Sequence, residues 1–257
     1  MSLAAHLSEA RRRLVVSAVA VLAGTVVGWA YYPEVYHQLA LPFEAYQLSS
    51  GDASLVALNF GNATAAFSQQ VNLGIFVGVI VSSPVWLYQV WAFVVPGLTK
   101  KERWISLAFL AAVVPLFLGG CAFAYVTLPK ALTVLFGLTP AGASNIQQVS
   151  DYFAFVMRFI LSFGLAFLLP VFLVSFVGMG VFTGRQLRSA WRAALLGIFV
   201  AAAIITPTPD PFTMMLLGGP LALLYFGAVG VGLIIDRRRR ASRPAWLAVP
   251  DTVASPL

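Results

Sequence analysis

Arg11-Arg12-Arg13 runs straight into Leu14-Val-Val-Ser-Ala-Val-Ala-Val-Leu-Ala-Gly-Thr-Val-Val-Gly-Trp-Ala-Tyr-Tyr32, a stretch of 19 residues without a charge. A run of roughly 18 such residues is long enough to cross the hydrocarbon core of a bilayer as a helix. Arginines on one flank and Trp29, Tyr31 and Tyr32 on the other suit two membrane interfaces. A basic start before an apolar run also resembles a secretion signal, but no clear small-x-small cleavage site follows it. We read it as a retained helix.

The whole chain repeats this character. Of its 257 residues, 60% are hydrophobic and 10% charged, whereas a soluble domain carries about a quarter charged residues. Such a chain cannot cover itself with polar surface. Six spans are expected, at about 14–32, 71–95, 104–125, 152–177, 193–205 and 212–235. The fifth, Ala193 to Ile205, reaches only about 20 Å at 1.5 Å per residue, short of a core of about 30 Å. Pro84, Pro115 and Pro170 predict bends. Residues 33–70 are polar, are broken by Pro42, Gly51 and Gly61, and read as a sizeable loop; 126–150 return to polar character. Residues 1–240 read as one membrane domain and 241–257 as a tail whose proline and small-residue content predicts disorder.

Charge sets the orientation. Arg11 to Arg13, Lys100, Lys101 and Arg103, Arg185, Arg188 and Arg192, and Arg237 to Arg240 with Arg243 make fourteen of sixteen basic residues, all on one side of a six-span arrangement. The opposite side holds Lys130 against Glu34, Glu44, Asp52, Asp151 and Asp210. The positive-inside rule places both termini in the cytoplasm. The formal charge of +7 then reflects basic flanks meeting anionic lipid head groups, not nucleic acid.

Several chemistries are excluded. Cys121 is the only cysteine and lies in an apolar run, so no disulfide or cysteine metal site can form. His6 and His37 lie outside the spans, and the spans hold no acid, so no intramembrane general base is available and the chain does not read as an enzyme. No phosphate-binding glycine motif is present.

The candidate residues are few. Ser2 to Arg13 places Leu3, Leu7, Ala10 and Leu14 at helical spacing, as in an amphipathic helix on the cytoplasmic interface. Glu9 is spaced to pair with Arg12 or Arg13. Glu102 suits the start of the third helix, where the dipole favours an anion. With Asp236 and Asp251 they are the only acids on that face. Arg158 is the one charge placed within a span; it either snorkels towards Asp151 and the outer interface or faces a partner helix.

His6-Leu-Ser-Glu-Ala-Arg-Arg-Arg-Leu14 resembles the N-terminal motif of the TatC family, the receptor subunit of the twin-arginine protein translocase. Ser83-Pro-Val-Trp-Leu-Tyr-Gln-Val-Trp-Ala-Phe93 with Pro96-Gly-Leu-Thr-Lys-Lys-Glu-Arg103, and the turn from Thr206 to Pro211, resemble the same family. The likeness covers about Leu3 to Arg240. It implies an all-α, polytopic inner-membrane protein of bacteria whose six transmembrane helices form a concave, glove-like bundle with two short last helices. It further implies recognition of signal peptides bearing paired arginines on folded cargo, with Glu9 and Glu102 as anionic contacts and Arg11, Gln89 and Phe93 in support. Implied partners are TatA-like and TatB-like single-span subunits in homo- and hetero-oligomers. The resemblance also implies transport driven by the proton motive force, with no nucleotide or other cofactor and no metal. Asp210 belongs to the periplasmic turn.

Two positions depart from the family pattern. Leu168, in Phe163-Gly-Leu-Ala-Phe-Leu-Leu-Pro170, and Phe226 stand where the family has acids. That leaves Arg158 and Leu168 as candidate contacts to a partner helix. A small-solute secondary transporter, with a site around broken helices and Arg158, is the alternative.

Overall fold

In the computed structural model, the described residues are 3–49, 56–62, 64–94, 103–137, 145–205 and 210–241. Glu102, the turn residues 206–209 and the tail from 242 onward lie outside them.

The first helix, α1, is continuous over Leu3–Ala30. From Leu3 to Arg13 the chain is part of this helix and not a separate interfacial one, because Leu, Ala, Glu and Arg propagate a helix and neither glycine nor proline occurs before Gly24. Its 28 residues span about 42 Å, longer than a core of about 30 Å, so one end projects.

Residues 33–70 are not an open loop. Pro33, in the first turn, ends one helix and starts the next, α2 (Tyr32–Ser49). Pro42 lies inside α2 and cannot donate to the Gln38 carbonyl. The hydroxyl of Tyr125 donates to that carbonyl at 2.8 Å, and the hydroxyl of Tyr152 donates to Leu39 O at 2.9 Å. Leu39, Ala40 and Phe43 are buried beneath. After α2 comes a strand, β1 (Val56–Asn59).

The second expected span is two helices, α3 (Ala65–Val81) and α4 (Ser83–Val94), bent by 61°. Pro84 has no N–H to give to the Ile80 carbonyl, and at the same bend the Trp86 indole N–H donates to the neighbouring Val79 carbonyl at 2.9 Å. Next, α5 (Arg103–Gly137) passes through Pro115 and on through Pro129, well beyond Tyr125 where the sequence suggests an end. The second strand, β2 (Asn145–Gln148), pairs in parallel with β1, Val56 opposite Asn145.

The fourth span divides into α6 (Val149–Ala166) and α7 (Leu169–Met179), with Leu168 in the break before Pro170. At the end of α7, Gly180 takes φ 85°, Val181 N donates to Phe176 O at 3.0 Å and Gly180 N to Val177 O at 3.0 Å. That left-handed turn is open to glycine at little steric cost. A short α8 (Gly184–Ser189) follows, capped by Thr183 and Gln186, then α9 (Trp191–Ile205) and α10 (Pro211–Ala241). The final helix is not short. It has 31 residues, since Asp236 and the arginines after it extend the helix. Arg239 donates to Gly178 O and the Tyr225 hydroxyl to Leu187 O at 2.6 Å, fastening α10 to α7 and α8.

Four stretches are long and apolar enough to cross a membrane, and the bent α3/α4 pair makes a fifth; α9 is a shorter apolar helix. The chain is a multi-pass helical membrane protein. Its core is Val113, Phe117 and Leu128 of α5 against Phe153, Val156, Phe159 and Phe163 of α6. The parallel pair β1/β2 is an addition to an otherwise helical fold, joining two distant connecting segments.

Candidate functional site

Close glycine approaches near the C-terminal end of α1 and a ring stack near its N-terminal end hold it in place. Gly24 and Gly28 of α1 meet Gly78 and Gly74 of α3, so close that a Cβ on Gly28 would lie 2.7 Å from Gly74 O. Small residues four apart on both helices allow that approach, where van der Waals packing holds helices together in lipid. Since α4 continues from α3, it comes to lie along α1. The rings of His6 and Phe93 then stack at 4.7 Å with 21° between planes. Trp91, two residues before Phe93 and so on another face of α4, stacks on Phe109 at 3.8 Å and fixes α4 to α5.

Within that frame Arg13 joins the two helices. Its Nη2 donates to Glu9 Oε1 at 2.6 Å and its Nε to the same oxygen at 3.1 Å. Its Nη1 donates across to Gln89 Oε1 of α4 at 3.3 Å. The side chains of Arg13 and Glu9 are 24% and 28% exposed, so the pair is shielded but reachable. Glu9 Oε2 accepts no hydrogen bond from the described residues. Ser8, Glu9, Arg12, Arg13, Val16 and Gln89 line a cavity of about 310 Å³ at this point. It contains one carboxylate against two guanidinium groups, so a cation entering it gains little from the net field and must be held by directed hydrogen bonds.

The structure brings Glu9 and Gln89 together through Arg13, and places Phe93 one turn of α4 further on, under His6. Arg11 does not line the Glu9 cavity. It lines a neighbouring groove with Leu7, Ser8, Arg12, Val15 and Val16, because two helical positions from Glu9 point nearly to the other side. The residue the sequence reading left out of the site is Arg13, although its spacing of four from Glu9 was the signal for it. Glu102 lies outside the described residues.

The remaining candidates sit elsewhere. Asp210 caps α10, accepting from Thr213 N at 2.7 Å, which suits a carboxylate at a helix N-terminus. Arg158 is exposed on α6 and makes no hydrogen bond or ion pair with the described residues. Leu168 is 6% exposed, packed in the α6/α7 break, and Phe226 is half exposed on α10. Among the described residues no three His, Cys, Asp or Glu side chains gather as metal ligands.

Comparison with known proteins gives one answer. The family described as "Sec-independent protein translocase protein (TatC)" matches residues 5–220. The chain is 42% identical to the TatC protein of Xylanimonas cellulosilytica over 95% of this chain and 88% of that protein. It is 36% identical to the TatC protein of Frankia casuarinae, over 100% of this chain and 73% of that one. A crystal structure of "Twin Arginine Translocase Receptor- TatC" superposes with a TM-score of 0.74 at 33% identity, over 90% of this chain and 100% of the other. A second crystal structure of that receptor, in DDM, gives 0.73 at 34%. The chain therefore belongs to the TatC family of Sec-independent protein translocase proteins.

Proposed function

We propose that this protein is the receptor of a twin-arginine translocase, binding paired-arginine signal peptides of folded cargo at Glu9 and Glu102 and nucleating the translocation site. The observation that carries this reading is a carboxylate, Glu9, held between two helices by Arg13 and Gln89, with one oxygen open to a cavity. A carboxylate binds the planar guanidinium in parallel hydrogen bonds, which an ammonium cannot reproduce, so the geometry selects arginine over lysine. Glu102, beside the start of α5, adds the second anion that two adjacent arginines require.

In this reading the chain spans the bacterial inner membrane six times, with α9 as the short fifth span and local bilayer thinning as its adjustment. Both termini are cytoplasmic, which puts Glu9 and the basic end of α10 on the same side. Residues 1–240 are read as one membrane domain, a reading that the packing of α10 against α5, α7, α8 and α9 supports. The 61° bend at α3/α4 suits a concave wall. TatA-like and TatB-like single-span subunits complete the translocase, driven by the proton motive force, and Arg158, exposed on α6, is offered to one of them. A photo-crosslinking side chain at Ser8 or Val16, both on the cavity wall, tests the receptor reading. It is expected to capture a paired-arginine signal peptide in membranes and spare its paired-lysine counterpart. Equal capture of both peptides would contradict it.

A further inference from the structure

Arg13 stands where a ligand guanidinium is needed. Two of its nitrogens converge on Glu9 Oε1, at 2.6 and 3.1 Å, while Oε2 takes nothing from the described residues. A guanidinium in parallel fork geometry uses both carboxylate oxygens, and the chain's own arginine already holds one. We propose that Arg13 is an internal competitor for Glu9, and that an incoming signal-peptide arginine takes the carboxylate by displacing Arg13 onto Gln89. This rests on the receptor reading above and adds a regulating contact to that site.

Three observations support the exchange. Arg13 Nη1 already donates to Gln89 Oε1 at 3.3 Å, so the acceptor that receives the displaced side chain is in place. The backbones of α1 and α4 need not move, being fixed by the Gly24/Gly78 and Gly28/Gly74 approaches and by the Trp91 and Phe109 stack. The pair is partly exposed, and ion pairs of that kind are weak enough to be exchanged. An arginine ligand restores to Glu9 the bonds that Arg13 gives up. A lysine ligand reaches Oε2 as a point charge, displaces nothing, and gains only that one contact. Resting occupancy by Arg13 also keeps Glu9 from attracting unspecific cations.

The test is binding of paired-arginine and paired-lysine signal peptides to the full protein in membranes, for wild type, Arg13→Gln, Arg188→Gln, Glu9→Gln and Gln89→Leu. Arg188 is exposed on α8, does not line the cavity, and controls for loss of one positive charge. Each variant is first checked for insertion and for an unchanged unfolding midpoint, and Arg13→Lys is the second variant should Arg13→Gln misfold. Arg13→Gln is expected to bind the arginine peptide about two- to five-fold more tightly relative to the lysine peptide, the factor set by a partly exposed ion pair. Arg13→Lys moves the same way by less, and Arg188→Gln leaves the ratio unchanged. Gln89→Leu weakens arginine-peptide binding in wild type and not in Arg13→Gln. If Arg13→Gln binds the arginine peptide no better, or worse, while Glu9→Gln loses the preference, Arg13 positions Glu9 and the inference is overturned with the receptor reading intact. No preference in wild type removes both.

Discussion

Gly28 of α1 and Gly74 of α3 touch through their backbones: a Cβ built on Gly28 would lie 2.7 Å from Gly74 O and 2.7 Å from Val77 Cβ. The contact is asymmetric. A Cβ built on Gly74 would meet nothing closer than 3.4 Å, whereas one on Gly78 would lie 2.6 Å from Thr25 Oγ1 and 2.7 Å from Val21 O.

Two glycines of one motif should therefore respond differently to alanine. Gly78→Ala is expected to cost about 1 to 3 kcal/mol, because the two helices must part to admit a methyl group. Gly74→Ala should be neutral within about 1 kcal/mol, since ordinary contact and better helix propensity offset each other. Gly119→Ala, with open space around it, is the control. Thermal unfolding in detergent reads all three. Equal losses at Gly74 and Gly78 would remove the backbone approach as the cause.

Tyr152 and Tyr125 allow a second comparison at the α2 break. Both donate to carbonyls beside Pro42, but Tyr152 is buried and Tyr125 half-buried. Tyr152→Phe leaves Leu39 O without its hydroxyl partner out of reach of water, at a cost of about 1 to 3 kcal/mol. Tyr125→Phe should cost less, because water can replace the lost hydroxyl at Gln38 O. Unfolding midpoints check the order, and a larger loss at Tyr125 would reverse the assignment.

These tyrosines also show where sequence reading ends. The long spans were legible because lipid demands unbroken apolar runs. In α2, Pro33 and Pro42 gave the local signal of a loop, and what makes the segment helical comes from α5 and α6, far along the chain. The parallel strands were illegible for a related reason: four residues each, paired across the three helices α3, α4 and α5. Glu9, Gln89 and Phe93 could be named from motifs. The link through Arg13 could not, since it depends on glycines that bring α4 against α1. Helical spacing alone, however, separates Arg13 from Arg11 around α1.

Arg158 has no partner among the described residues, so Arg158→Ala is expected to leave insertion and unfolding unchanged within about 0.5 kcal/mol. Co-purification of a single-span partner subunit should fall in the same variant. Unchanged co-purification and normal export would assign the side chain to the lipid interface instead.

Glu9 carries the central claim, and the direct measurement is the affinity of a paired-arginine signal peptide against its paired-lysine counterpart, in membranes, for wild type, Glu9→Gln and Glu102→Gln. Wild type is expected to prefer the arginine peptide about ten-fold or more, the factor for a lost charge-assisted hydrogen bond of about 1.5 kcal/mol, and each variant to lose most of that preference while still inserting. Equal binding of the two peptides by wild type, or a full preference retained by Glu9→Gln, would contradict the assignment of this site.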